Sequence, residues 1–309
     1  MSFSFQDFAG ALKAGTPTSA EDVLAARRWA WSDGGISPAE AETIFELNHL
    51  TRDASPEWID FFVEALNEYI VNRQAPRGYV DDANARWLMA QIDRDGRVET
   101  AGELELLVKV LESALNAPET LKAYALAQIE RVVLTGEGPT RRGGALRPGV
   151  IDEAEVALLC RLLFAGGGEG GVTISRDEAE LLWRLKEATL GADNAPGWAI
   201  FFVQALGNHL MAYSAYRPLA RAEAQRLEAF VGDHRSSVGG FLARMFGSIG
   251  ERAPEKRKDR DYWAEAAAEA VVTPAETAWL DQHVKADGAL DPLEKALLVF
   301  VKDERRSAA

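Results

Sequence analysis

The residues best placed to do chemistry are aspartates that precede a glycine and an apolar residue. They occur as Asp33-Gly34-Gly35-Ile36, Asp95-Gly96-Arg97-Val98 and Asp287-Gly288-Ala289-Leu290, with a looser, glycine-rich version over 166–174. Carboxylates spaced around a glycine turn are the raw material of a hard-cation cradle, which needs six to eight oxygens. A second candidate is Glu46-Leu47-Asn48-His49, a Glu-x-x-His on a helix. Carboxylate-bridged metal bundles use that spacing in pairs, with two further glutamates. The chain holds no second copy of it, so a solvated helix face is the preferred reading of Glu46 and His49.

The Asp-Gly loops can be tested against calcium chemistry directly. With the glycine at position 6 of a twelve-residue loop, oxygens are required at positions 1, 3 and 5 and a bidentate Glu at 12. The first loop offers Trp29, Trp31 and Asp33, then Glu40. The second offers Gln91, Asp93 and Asp95, with Gly102 at 12. The third offers His283, Lys285 and Asp287, then Glu294. No loop has a full oxygen cage. The remaining metal candidate is a non-standard divalent site built from Asp93, Asp95 and Glu99. A structural reading uses the same residues with less strain on the chemistry. Ser37-x-x-Glu40, Ser175-x-x-Glu178 and Asp291-x-x-Glu294 are capping-box patterns in which each Glu folds back to fasten the start of a helix. Each cap is worth about 1 kcal/mol. The glycine supplies the left-handed turn before it.

These loops resemble EF-hands. Through WSDGGISPAEAE (31–42) and KADGALDPLEK (285–295) they resemble still more the TerB-type helical domains of tellurite resistance. The resemblance rests on short motifs in about half of the chain. It implies helix–loop–helix repeats, and a stress-response role with divalent-cation binding as the rival to a pure binding module.

The elements that carry these loops are helical. Apolar residues at 56–72 recur as Trp58, Ile59, Phe62, Val63, Leu66, Tyr69 and Ile70, a wide helical face. Thr273-Pro274-Ala275-Glu276 gives a further helix start, and Pro follows the cap at 38 and 274. No stretch shows strand alternation bounded by hairpin turns. The fold class is all-α.

The chain also reads as internally duplicated. PEWIDFFVEAL (56–66) and PGWAIFFVQAL (196–206) share seven of eleven residues at an offset of 140, and ISPAEAETI (36–44) parallels ISRDEAELL (174–182). A second pair, 79–107 and 271–298, aligns Trp87 with Trp279 at an offset of 192. The second copy therefore carries about 52 extra residues, placed at 216–270. The expected organisation is helix–loop–helix units in two helical domains, 1–135 and 151–309. A Gly-, Pro- and Arg-rich linker, 136–150, joins them. Aromatics in the repeated blocks are expected in the core.

The extra segment differs from the rest. Residues 232–262 carry seven basic and five acidic side chains in a chain of net charge −14. Phe241, Leu242, Met245, Phe246 and Ile249 fall at helical spacing, followed by Lys256, Arg257 and Lys258. Such a helix suits docking on a protein partner, although folding back on its own domain as an extra helix is the preferred reading, because most apolar helices are buried at home. An anionic membrane surface reached through 237–258 is the less favoured target.

Composition narrows the function classes. The chain has 309 residues, 47% of them hydrophobic and 27% charged, as a folded protein of two ordinary domains requires. An excess of 48 acidic over 34 basic residues argues against nucleic acid as partner, because phosphate binding needs a basic footprint. The single cysteine, Cys160, excludes an internal disulfide and reads as a small buried hydrophobe in Val156-Ala157-Leu158-Leu159-Cys160. No signal peptide pattern opens the chain and no window reaches 18 apolar residues, so the expected location is cytoplasmic. Neither a nucleophile elbow nor a phosphate-binding loop is present, and Gly166 to Gly171 lacks the Lys-Ser/Thr that holds a nucleotide. The function expected is that of a non-enzymatic helical binding or adaptor module without a cofactor. A helical metalloenzyme using Glu46 and His49 is the weaker alternative.

Overall fold

The computed structural model describes residues 8–10, 14, 19–32, 34–51, 54–73, 75–93, 98, 100–139, 147–164, 173–211, 274–284 and 290–307. Among them every regular element is helical: α1 Ala20–Ala30, α2 Pro38–Leu50, α3 Pro56–Asn67, α4 Asp82–Ile92, α5 Ala101–Ser113, α6 Glu119–Thr135, α7 Glu153–Leu163, α8 Arg176–Ala188, α9 Pro196–Met211, α10 Pro274–Val284 and α11 Pro292–Ser307. A π-helical turn, Glu68–Asn72, continues α3. The protein is all-α. The one extended pairing among these residues is an isolated bridge between Tyr79 and Asn116.

Helix starts follow local chemistry. Ser19, Ser37, Thr100, Asp152 and Ser175 each cap a helix, and the acidic residue three positions on bonds back to the cap's own N–H. This reciprocal arrangement satisfies two backbone donors that would otherwise be orphaned. Ser55 and Asp81 cap α3 and α4 through their side-chain oxygens alone. α6 has Pro118 before it and no side-chain cap, and it stops at Gly136, whose φ of 71° is left-handed.

The chain divides into two compact units, Met1–His209 and Leu210–Ala309. In the first, α3 is the central helix. Trp58, Phe61, Phe62, Ala65 and Leu66 are fully buried, and α3 packs on α5, α1 and α2. Burying one such large apolar side chain contributes about 1.5–3 kcal/mol. α5 answers with Leu106, Leu107, Val108 and Val110, all out of contact with solvent. α6 then packs on α4, α5, α7 and α8. Both repeated blocks lie within this unit, and Trp198, Phe201 and Phe202 of the second are buried like their counterparts. The division falls at 209/210, and the Gly-, Pro- and Arg-rich stretch 136–150 lies inside the first unit. That stretch joins α6 to α7, and the two helices pack directly on each other across it. In the second unit, Trp279 and Leu280 of α10 and Leu297 and Val301 of α11 are buried. Asp291 Oδ1 caps α11 by accepting from Leu293 N and Glu294 N.

Cys160 is a correction to the sequence reading. It is exposed, because α7 turns Val156, Leu159, Leu162 and Leu163 inward and leaves Cys160 on the flank. No helix among the described residues is long and apolar enough to cross a membrane.

Candidate functional site

The acidic residues that follow the glycine turns are held by the backbone. Gly34 takes the left-handed φ of 94° expected of its turn. Glu40 Oε2 accepts from Ser37 N at 2.7 Å, and Glu40 N donates to Ser37 Oγ at 3.3 Å. Glu178 and Ser175 repeat this at 2.7 and 3.3 Å. Glu294 Oε2 accepts from Asp291 N at 3.0 Å. The carboxylates that a calcium loop would use at position 12, Glu40 and Glu294, therefore already have backbone donors.

Of the expected metal ligands, Asp93 is exposed at the end of α4, while Asp95 and Glu99 lie outside the described residues. Asp93 stands near Tyr124 of α6. Burial pushes the Tyr124 phenol above its ordinary range, and the carboxylates of Asp93 and Glu103 push the same way while Arg131 opposes. The expected partner-binding residues Phe241, Leu242, Met245, Phe246, Lys256, Arg257 and Lys258 also lie outside the described residues.

Glu46 and His49 do not act together. Glu46 faces solvent, and His49 Nε2 sits 3.5 Å from Glu103 Oε1 of α5. Glu103 is buried and was missed by the sequence reading, although Thr100-x-x-Glu103 is itself a capping-box pattern. The loop register that looked for a ligand at position 12 landed on Gly102 instead. Around Glu103 a polar network is closed inside the core. Trp58 Nε1 donates to Asn48 Oδ1 at 3.2 Å, and Asn48 Nδ2 donates to Thr100 Oγ1 and Glu103 Oε1, both at 3.4 Å. These bonds tie α2, α3 and α5 together at one point. In the second block Asn48 corresponds to Lys186, whose buried ammonium meets Glu187 at 2.6 Å and lies 4.6 Å from the Trp183 ring centroid. An ammonium only donates. Trp198 Nε1, the counterpart of Trp58 Nε1, is buried without an acceptor.

A groove runs between α6 and α8, with a volume of about 590 Å³. Ala123, Leu126, Ala127 and Leu181 form its apolar floor. Its walls are fixed by two ion pairs. Lys122 Nζ lies 2.5 Å from Glu178 Oε1. Arg184 grips Glu130 with two of its nitrogens, Nε at 2.7 Å and Nη2 at 3.1 Å. The partners advance in the same direction along both helices, so α6 and α8 run parallel here. Glu130 holds the Arg184 guanidinium further into its charged form. Five carboxylates line the groove against two basic side chains, and both basic side chains serve in the wall pairs. Glu119 and Asp177 remain exposed on the rim.

A smaller cleft of about 360 Å³ lies beside α3 and α5, edged by Trp31, Asp60, Glu64, Glu68, Glu105 and Lys109. Two of its carboxylates are engaged, Glu64 by Arg27 and Glu105 by Arg161. Arg161 also grips Glu112, so one guanidinium pins α7 to α5 through two carboxylates.

The class defined by these observations is an all-helical protein with capped helix–loop–helix units and a preformed groove. Comparison of the chain with protein-family models, with curated proteins and with solved structures finds no match.

Proposed function

We propose that this protein is a non-catalytic, acidic helical binding module of the cytoplasm, and that the groove between α6 and α8 is its receptor surface. One observation carries the reading. The groove has an apolar floor and walls already locked by ion pairs, so an occupant meets a surface whose side chains need little ordering. Preorganisation of that kind lowers the entropic cost of association. Its volume falls within the usual range for binding clefts, about 300–1,000 Å³. The engagement of Glu40 and Glu294 by backbone donors favours this reading over cation storage in the Asp-Gly turns. The likeness to TerB-type domains remains one of short motifs, consistent with a helical module.

A neutral fifteen-residue helical peptide with a leucine stripe tests the groove. Saturable binding is expected to shift the methyl resonances of Leu126, Leu181, Ala123 and Ala127. Ala127→Trp fills the floor and is expected to weaken that binding about tenfold, equivalent to roughly 1.4 kcal/mol, without altering the far-ultraviolet circular dichroism. Shifts centred elsewhere, or indifference to Ala127→Trp, would refute the groove. Calorimetry with calcium, magnesium, manganese and zinc tests the rival. Saturable heat that vanishes on Asp93→Ala would replace the adaptor with a cation binder.

A further inference from the structure

We infer that the occupant of the α6–α8 groove is a cationic amphipathic helix of a partner protein, a step that rests on the groove reading above. Lys122 and Arg184 are committed to Glu178 and Glu130 across the groove. The exposed rim carboxylates Glu119 and Asp177 sit in the first turns of α6 and α8. Because those helices run parallel, the two carboxylates belong to the same end of the groove. Charge complementarity across an interface steers encounter and rejects like-charged partners. The rim therefore selects lysine or arginine on the occupant at that end.

The floor selects a helix. Ala123 and Ala127 are one turn apart, exposed, and present only methyl groups, so a second backbone can approach closely, with the buried Leu126 and Leu181 beside them in the lining. The lining of α6 runs from Glu119 to Glu130, about 16 Å of helix axis at 1.5 Å per residue. An occupant of about three turns fits, with apolar residues at i, i+3 or i+4 and i+7. Other occupants fit the charges poorly. Phosphate backbones and anionic lipid surfaces would meet uncompensated carboxylates. A second copy of the chain, of net charge −14, brings further acid to an acid rim everywhere except its basic stretch 232–262, so a dimer would have to dock through that stretch.

Three labelled peptides with one shared leucine stripe, flanked by lysine, glutamine or glutamate, test this by fluorescence anisotropy on the full chain. The lysine peptide is expected to bind about tenfold tighter than the glutamine peptide at about 50 mM salt, with the advantage shrinking at about 300 mM, as screening requires. The double variant Glu119→Gln, Asp177→Asn is expected to remove that advantage and leave the glutamine peptide's affinity unchanged. Equal affinity of the lysine and glutamine peptides, with both still lost on Ala127→Trp, overturns the cationic partner and leaves the groove reading standing. Failure of every peptide overturns both. Preferential binding of phosphatidylserine vesicles, or a dimer that dissociates on Ala127→Trp, overturns the proposal in favour of those occupants.

Discussion

The two repeated tryptophans allow one hydrogen bond to be weighed against its own internal control. Trp58 and Trp198 are equally buried among aromatic neighbours: Phe61 at 5.4 Å from Trp58, and Phe202 at 5.7 Å from Trp198. They differ in the indole N–H, which reaches Asn48 Oδ1 in one case and nothing in the other. Substitution by Phe removes a similar volume from both, roughly 40 Å³, worth about 1 kcal/mol at 24 cal/mol per Å³ of cavity. Trp58→Phe also breaks the bond and leaves the Asn48 carbonyl unsatisfied, at about 1–3 kcal/mol. Trp198→Phe deletes a donor that had no acceptor, which offsets part of its packing loss. The expected difference is about 2 kcal/mol, or about 4–8 °C in Tm for a unit of this size. Thermal melts followed by circular dichroism at 222 nm on the full chain provide the measurement. Equal losses in Tm for the two variants would show that the Asn48 network contributes nothing beyond packing.

Two further outcomes follow from local geometry. The Arg161 guanidinium holds the Glu112 carboxyl below its ordinary value of 4.5. That contribution is present above 4.5 and lost as pH falls through the lowered folded value. Arg161→Gln is therefore expected to cost about 1–2 kcal/mol at neutral pH, as a bidentate and partly exposed network should. Its urea midpoint should converge with that of the parent in acid, and a gap that persists once Glu112 is protonated would contradict the assignment. At Gly136, φ is 71° and an added Cβ would stand 2.9 Å from the Pro148 ring. Gly34 has φ of 94° with open space around it. Gly136→Ala should thus lower Tm by more than Gly34→Ala. The second reports left-handed strain alone, about 1–2 kcal/mol, and equal effects would remove the clash from the account.

Much of the fold was legible because its determinants are local. Ser37, Ser175 and Asp291 announce helix starts through residues three positions away, and the bonds form as that spacing implies. The aromatic blocks at 56–66 and 196–206 carry a helical period, which identifies the buried face without knowledge of what covers it. The misses have a different origin. Cys160 sits among apolar neighbours in sequence, yet α7 needs only part of its circumference for the core, and the run does not reveal which residue falls on the flank. Glu103 was masked by its own motif: counting toward a metal ligand skipped the capping pattern one residue further on. The groove was not legible at all. Its wall pairs join residues 56 and 54 positions apart, Lys122 with Glu178 and Glu130 with Arg184, and no periodicity within either helix anticipates the meeting.

The division of labour among the acidic residues follows from their distance to a helix start. At the third helical position a carboxylate lies within reach of the cap's N–H and is drawn inward, as Glu103, Glu155 and Glu178 are. At the first or second position the side chain projects past the end of the helix and keeps its charge in water. Asp177 and Glu178 are neighbours on one helix with these two fates: Glu178 bonds Ser175 and Lys122, while Asp177 stays exposed. Glu119 is the first residue of α6, two positions before the one a capping box would use, and it stays exposed. The rim charge on which partner choice is proposed to depend is thus a by-product of how the two helices begin. Moving the carboxylate of Asp177 by one position would place it within reach of the cap and take it away from the partner. Selectivity for a basic helix then depends on helix registration as strictly as the fold does.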